Sequence, residues 1–233
     1  PLNIRDLSIC RKQIKEIPNK VEEQQLKDLI KNFHPCLQSG INIALAEING
    51  IIKYQNSYDF RKISQTAILL NPAEILEEFR KINKFKKIQL TIKWKVGINP
   101  NLHEEKILEK ILSEINNNIR FRIDANGSWN RTIGNRWAEI LKGNKNLDWI
   151  EQPIDCDDIE GLKILNKKVP VALDESLIKN PQLINNWKGW QIRRPSQESD
   201  PIKLFYELNN KLGYRSISTS FETGIGSRML YHF

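Results

Sequence analysis

The sequence predicts an α/β fold of the TIM-barrel type, a parallel sheet whose strands alternate with helices, with about seven of the eight strand–helix units inside the chain. Three observations predict it. Short β-branched runs alternate with helix-like stretches along most of the sequence. The alternation repeats every roughly 20–30 residues, the spacing of a strand plus a helical crossover. Several runs also end in charged residues, as barrel strands do where their C-terminal ends build an active site. With 233 residues, the chain can bury a sizeable core without disulfides or a structural metal.

The elements follow in order. Val21–Lys31 and Ile41–Asn49 read as helices with no strand partner, so residues 1–50 are expected to form an N-terminal helical segment. Residues 51–233 are expected to hold the barrel. Its first strand is Thr66–Leu70, followed by a helix over Pro72–Lys84 with Asn71 as N-cap and Pro72 at the first helical position. In Ile88–Val96 the period of two puts Ile88, Leu90, Ile92, Trp94 and Val96 on one face. That apolar face should meet the helices, which turns Lys93 and Lys95 inward near the C-terminal rim. After a helix over Leu102–Asn116, the strand Ile119–Ala125 gives Phe121, Ile123 and Ala125 to the helices. Arg122, Asp124 and Asn126 are left inside. A helix over Ile133–Lys142 leads to Leu147–Glu151, and one over Asp158–Lys167 leads to Val169–Asp174. Pro181–Trp187 and Pro201–Leu212 are the helices around Gly189–Arg194, and Arg215–Ser220 is the seventh strand. The eighth unit is not in the chain, which therefore reads as a fragment.

Composition narrows the function classes. No apolar run approaches the roughly 18–20 residues that a membrane span needs, and no basic-then-apolar leader opens the chain. Cys10, Cys36 and Cys156 are scattered without metal-binding spacing, which fits a reducing, cytoplasmic setting. The net charge is +8, from 36 basic and 28 acidic residues, a balance that could serve nucleic acid. The lysines lie along helix-like stretches, with no Arg-rich tract and no RNA-binding motif. A solvated basic surface and no nucleic-acid partner are expected, and a basic nucleic-acid-binding protein is the non-enzyme alternative. His34, His103 and His232 have no ligand-type spacing and read as structural or exposed.

The strand ends carry the chemistry. One acid at a strand end is usually a turn residue or a helix cap. Here Asp124, Glu151 and Asp174 end three consecutive strands. Buried together without a cation, they would repel and raise one another's pKa values. A hard divalent ion such as Mg²⁺ relieves this, because it takes oxygen ligands and keeps positions open for substrate.

Lys93-Trp94-Lys95, Asp124-Ala125-Asn126-Gly127, Glu151-Gln152-Pro153 and Asp174-Glu175-Ser176 together resemble the successive signatures of the enolase superfamily, most closely its muconate-lactonizing branch. Ser218-Thr219-Ser220-Phe221-Glu222-Thr223-Gly224-Ile225-Gly226 resembles the seventh-strand segment of the o-succinylbenzoate synthase family within it. The resemblance runs from about residue 35 to the last one. It implies a Mg²⁺-dependent enzyme, with Mn²⁺ as a substitute, that dehydrates 2-succinyl-6-hydroxy-2,4-cyclohexadiene-1-carboxylate to o-succinylbenzoate in menaquinone or phylloquinone biosynthesis. It implies that Asp124, Glu151 and Asp174 hold the metal and that Lys95 is the base, on a small-molecule carboxylate substrate. It also implies a capping domain over the barrel mouth, of which the N-terminal helices would be a remnant. A lysine titrates near 10.4 when unperturbed; burial near Lys93, Arg194 and a metal is expected to lower Lys95 enough to supply a neutral amine.

One residue departs from the resemblance. The position before Pro195, where the family pattern has lysine, is Arg194. A guanidinium stays protonated and is a very poor base. A racemase or epimerase needs a base on each face of its substrate, whereas a one-base dehydration needs only a fixed cation there. Arg194 therefore argues against N-acylamino-acid racemase or dipeptide epimerase activity. Asn126 is open between orienting a ligand or water and capping the loop at Gly127. Glu175 is expected to support Lys95 or a neighbour by a hydrogen bond. Thr219 and Ser220 are open between donating to a substrate carboxylate and satisfying the backbone.

Overall fold

A computed structural model of the chain describes residues 4–53, 66–98, 103–210, 213–220 and 222–233. Leu102, Lys211 and Leu212, at the ends of two expected helices, and Phe221 of the last motif lie outside the described residues. The chain divides into two compact units, Tyr58–Ile192 and the pair of segments Pro1–Ser57 and Arg193–Phe233.

In the first unit, β1 (Ile68–Leu69), β2 (Leu90–Lys95), β3 (Ile119–Asp124), β4 (Leu147–Glu151), β5 (Val171–Leu173) and β6 (Trp190–Arg193, whose last residue opens the second unit) pair in chain order. Every pairing is parallel. With β7 (Arg215–Ile217) the sheet has seven strands in sequential order, the barrel-type α/β fold that the sequence predicts. Helices α4 (Ile75–Asn83), α5 (Glu104–Glu114), α6 (Arg131–Leu141) and α7 (Ile159–Asn166) fill the crossovers, with α8 (Glu175–Lys179) and α9 (Leu183–Asn186) between β5 and β6.

The period of two sorts each strand as expected. Ile92, Trp94, Phe121, Ile123, Ile150 and Leu173 pack with Phe79, Leu108, Trp137 and Leu162 of the helices in one core. Each such side chain contributes roughly 1.5–3 kcal/mol on burial. The opposite face carries a smaller cluster of Trp149, Ala172 and Ile192, with Trp190 against it. There the Arg122 guanidinium lies 4.0 Å from the centre of the Trp149 ring. Caps set where helices start: Asn130 Oδ1 accepts from Ile133 N at 2.9 Å, and Asp158 Oδ1 accepts from Gly161 N at 2.9 Å.

The second unit holds α1 (Ile4–Ile14), α2 (Glu23–Leu29), α3 (Pro35–Ile48), α10 (Pro201–Asn209), β7 and α11 (Gly224–Leu230). Ile43 and Ala46 of α3 share a core with Ile52 and Met229. Ser218 N donates to Arg193 O at 2.9 Å, which ties the end of β7 to the end of β6. The Arg193 side chain is buried and pairs with Glu198 and Glu207.

Some boundaries move. The helix expected over Ile41–Asn49 begins at Pro35, because His34 Nδ1 accepts from Cys36 N and proline suits the first helical position. The helix expected from Pro72 opens with a 3₁₀ turn over Pro72–Glu74 before α4. Three helices were not expected: α1, α8 and α11. Arg5, Lys12 and other polar residues break up the apolar stripe of α1, α8 has five residues, and Gly224 and Gly226 lower the propensity of α11. Among the described residues, no helix is long and apolar enough to cross a membrane.

Candidate active site

The register of the sheet gathers the ionisable strand ends. Lys95 pairs with Asp124, and Asp124 with Glu151, so these three stand level across β2, β3 and β4. Glu151 pairs with Ala172. Asp174 therefore lies two residues past Ala172, just beyond the end of β5, one step further than the other two acids rather than at equal height. Asp124, Glu151 and Asp174 are 1%, 2% and 1% exposed.

Lys93 partly resolves this concentration of buried charge. Its Nζ lies 2.8 Å from Asp124 Oδ2 and 2.8 Å from Glu151 Oε1. Burial alone would lower the Lys93 pKa, but the charges of Glu151 and Asp124 outweigh it and hold the ammonium above its ordinary value. Glu151 is pushed up to about 7, by burial first and the Asp124 charge second, with Lys93 opposing both.

Lys95 is not buried as the sequence leads one to expect, and it stands in a different setting. Its side chain is 37% exposed, and Nζ lies 3.7 Å from Asp124 Oδ2. Nζ donates to Asn126 Oδ1 at 3.0 Å, and Asn126 Nδ2 donates to Glu175 Oε1 at 3.0 Å. Asn126 N donates to Asp124 Oδ1 at 3.1 Å, and Asn126 adopts φ +45°. Asn126 thus closes a loop and orients Lys95 at once, and Glu175 bonds to Asn126 rather than to the lysine itself.

Among the described residues, Asp155, Cys156 and Asp157 form the one trio of His, Cys, Asp or Glu whose ligand atoms lie within 4.8 Å of one another. Asp155 and Asp157 are exposed, and Asp157 pairs with Lys179. The three strand-end carboxylates are spread more widely than that trio, with the Lys93 ammonium between two of them. Their chemistry nonetheless fits a hard divalent cation: three buried carboxylates converge on one face, and a cation already bridges two of them.

Arg194, Thr219 and Ser220 belong to the second unit. Arg194 Nη1 donates to Thr219 O at 2.6 Å, so there the threonine serves the arginine through its backbone. Ser220 N donates to Glu222 Oε2 at 2.7 Å, and no described residue hydrogen-bonds Ser220 Oγ.

Residues 77–185 match the family described as enolase C-terminal domain-like. Over 97% of its length the chain is 30% identical to o-succinylbenzoate synthase from Thermosynechococcus vestitus, and it spans 70% of that protein. The chain belongs to the enolase superfamily. Other superfamily members are similar over shorter stretches. N-succinyl-L-Arg/Lys racemase from Bacillus cereus is 26% identical over 68% of the chain, which spans 46% of that enzyme. Among solved structures, o-succinylbenzoate synthase from Thermosynechococcus elongatus, crystallised with Mg in its active site, superposes with a TM-score of 0.75 at 24% identity. That match covers 98% of this chain and 71% of the other. L-Ala-D/L-Glu epimerase from Bacillus subtilis superposes at 0.72 with 16% identity, over 97% and 69%. Superfamily membership thus makes the barrel fold and an enzyme class plain, while the similar proteins include a synthase, a racemase and an epimerase.

Sequence reasoning missed two things here. Lys93 is engaged as a counter-ion inside the carboxylate group. Gln152, quoted only as part of a motif, is wholly buried at φ +37°. The sequence shows only a glutamine directly after a strand-end glutamate, with nothing to mark its burial or its partners.

Proposed function

We propose that the protein is a Mg²⁺-dependent carbon–oxygen lyase that dehydrates 2-succinyl-6-hydroxy-2,4-cyclohexadiene-1-carboxylate to o-succinylbenzoate. The observation that carries this reading is Lys95, partly exposed and oriented by Asn126, beside a group of buried carboxylates at the strand ends. The similarity to o-succinylbenzoate synthase over nearly the whole chain supports it. Asp124, Glu151 and Asp174 would hold the metal, which when bound supplies positive charge to a substrate carboxylate.

The chain's own residues do the rest. Lys95, as the neutral amine, takes the proton from the carbon α to the carboxylate. As electrons move toward the carboxylate, Lys93 adds a fixed positive charge at the Asp124 and Glu151 end of the site. The electron pair then returns to form the ring double bond, and the C–O bond to the hydroxyl breaks. Lys95 gives its proton to the departing oxygen, so the products are the aromatic acid and water and the lysine is neutral again. One residue acts as base and then as acid, on one face of the ring. Thr219 and Ser220 would contribute to substrate binding.

Arg194 favours this reading over the racemase one, since a permanent cation cannot serve as the second base that two-sided proton exchange needs. The racemase and epimerase reading draws on the relatives with that activity. Deuterium exchange from solvent into both enantiomers of an N-acylamino acid would establish it. We further infer a small-molecule carboxylate substrate, no nucleic-acid partner and a cytoplasmic setting, in keeping with three free cysteines.

Lys95→Ala tests the assignment. A base of this kind contributes roughly 10²–10⁴-fold, so turnover of the cyclohexadiene should fall by at least that factor while Mg²⁺ affinity by calorimetry holds. Near-normal turnover would remove Lys95 as the base.

A further inference from the structure

Gln152 follows Glu151 at the end of β4 and is 0% exposed. A non-glycine residue at φ +37° carries backbone strain, of the kind that persists where surrounding contacts over-determine it. Those contacts are complete. The side-chain Oε1 accepts from Asp174 N at 3.2 Å and from Ser176 N at 3.1 Å. Nε2 donates to Ile154 O at 3.1 Å and to Ser176 Oγ at 2.9 Å. Ser176 Oγ in turn donates to Cys156 O at 2.9 Å. The reverse orientation of the amide would aim its hydrogens at two backbone N–H groups, so the network admits only this one. The main chain extends the ties: Gln152 N donates to Ala172 O at 2.8 Å, and Gly127 N donates to Gln152 O at 2.7 Å.

One residue therefore touches the ends of β3, β4 and β5, which carry the three carboxylates. The contact with Asp174 matters most, because Asp174 lies one step beyond the others and adopts an irregular backbone, φ −120° and ψ −80°. Its place is not set by strand pairing, which ends at Ala172 and Leu173. We propose that Gln152 is the positioning residue that fixes the Asp174 loop against Glu151 and so presets the spacing of the three carboxylates for a divalent cation. This rests on the reading of those carboxylates as ligands. Gln152 touches neither the ion nor the substrate and acts only through Asp174 and the β3 loop.

Gln152→Leu keeps the volume and removes all four side-chain bonds. In the metal-free protein, amide hydrogen exchange at Asp174 and Ser176 should quicken by about tenfold or more, with β2 and β3 unchanged. Mg²⁺ affinity by calorimetry, measured well below the unfolding temperature, should weaken by about 10–100-fold, the usual effect of losing a group that orients a ligand. Leu141→Ala, in the core behind the sheet, is the control: it loses stability but keeps both readouts. Should Gln152→Leu fail to fold, Ser176→Ala decides, because it removes one Nε2 partner and should shift both readouts the same way by less. A folded Gln152→Leu with wild-type exchange at Asp174 and Ser176 overturns the proposal, as does unaltered Mg²⁺ affinity in a protein that binds Mg²⁺. If the wild-type protein binds no Mg²⁺, the ligand assignment fails by itself, and exchange at the two amides alone decides the role of Gln152.

Discussion

Lys93→Met removes one ammonium and keeps most of the side chain's length. That ammonium lies 2.8 Å from each of two carboxylates that are 1% and 2% exposed. At an effective dielectric constant of about 20, each contact is worth roughly 6 kcal/mol of Coulomb attraction, about 12 kcal/mol in all. Desolvating the three groups offsets most of this. What remains after removing one partner is the penalty of an uncompensated buried charge, about 3–5 kcal/mol. With a urea m-value of roughly 1–3 kcal/mol/M, the unfolding midpoint in EDTA should fall by about 2 M. Mg²⁺ should then stabilise the variant more than it does the wild type, since the ion would meet two carboxylates with no ammonium between them. Each tenfold gain in affinity adds about 1.4 kcal/mol. A loss below about 1 kcal/mol, the range of surface ion pairs, would refute the reasoning, and so would a variant that gains less from Mg²⁺ than the wild type.

Other outcomes follow from the same geometry. Asp174→Ala should weaken Mg²⁺ binding in calorimetry, and unchanged affinity would sink the three-carboxylate site. Asn126→Gly keeps a residue that tolerates φ +45° but removes the acceptor for Lys95; kcat should fall with Mg²⁺ affinity held, and an unchanged kcat would show that Lys95 needs no such partner. Gly97→Ala should destabilise by more than about 1 kcal/mol in urea unfolding, because at φ +76° its Cβ would come within 1.9 Å of Ser128 Oγ. Phe79→Ala should lose about 3–5 kcal/mol, since Phe79 is fully buried in the core between α4 and the sheet.

The sequence made legible whatever depends on the period of two. That period alone put Lys93, Lys95, Asp124 and Glu151 on the face away from Ile92, Trp94, Ile123 and Ile150, and the pairings agree. It could not show that Asp174 stands a step beyond Glu151, because that depends on which residue of β5 faces Glu151, a matter of register between strands. A hydrogen bond from Glu175 to Lys95 or a neighbour was expected, but not that the partner is Asn126: β5 ends at Leu173 and α8 starts at Glu175, so alternation no longer says where Glu175 points. Gln152 was hidden because its partners, Asp174 and Ser176, lie 22 and 24 residues away. The helices α1 and α11 were hidden for a different reason, since each depends on tertiary packing more than on its own apolar stripe.

The two lysines of β2 divide one problem between them. Three carboxylates buried on one face cannot be assembled in a folding chain without positive charge nearby, since each would be driven toward protonation, as Glu151 still is. Lys93 supplies that charge from within the chain. Two residues further along the same strand, Lys95 points to the same face but reaches Asn126 and the rim instead, and its contact with Asp124 is longer by 0.9 Å than that of Lys93, 3.7 against 2.8 Å. A single lysine could not do both, because an amine locked between two carboxylates stays protonated and cannot accept a proton from a substrate. The spacing of one residue between the lysines follows from this: it keeps both on the inner face while separating the counter-ion from the proposed base.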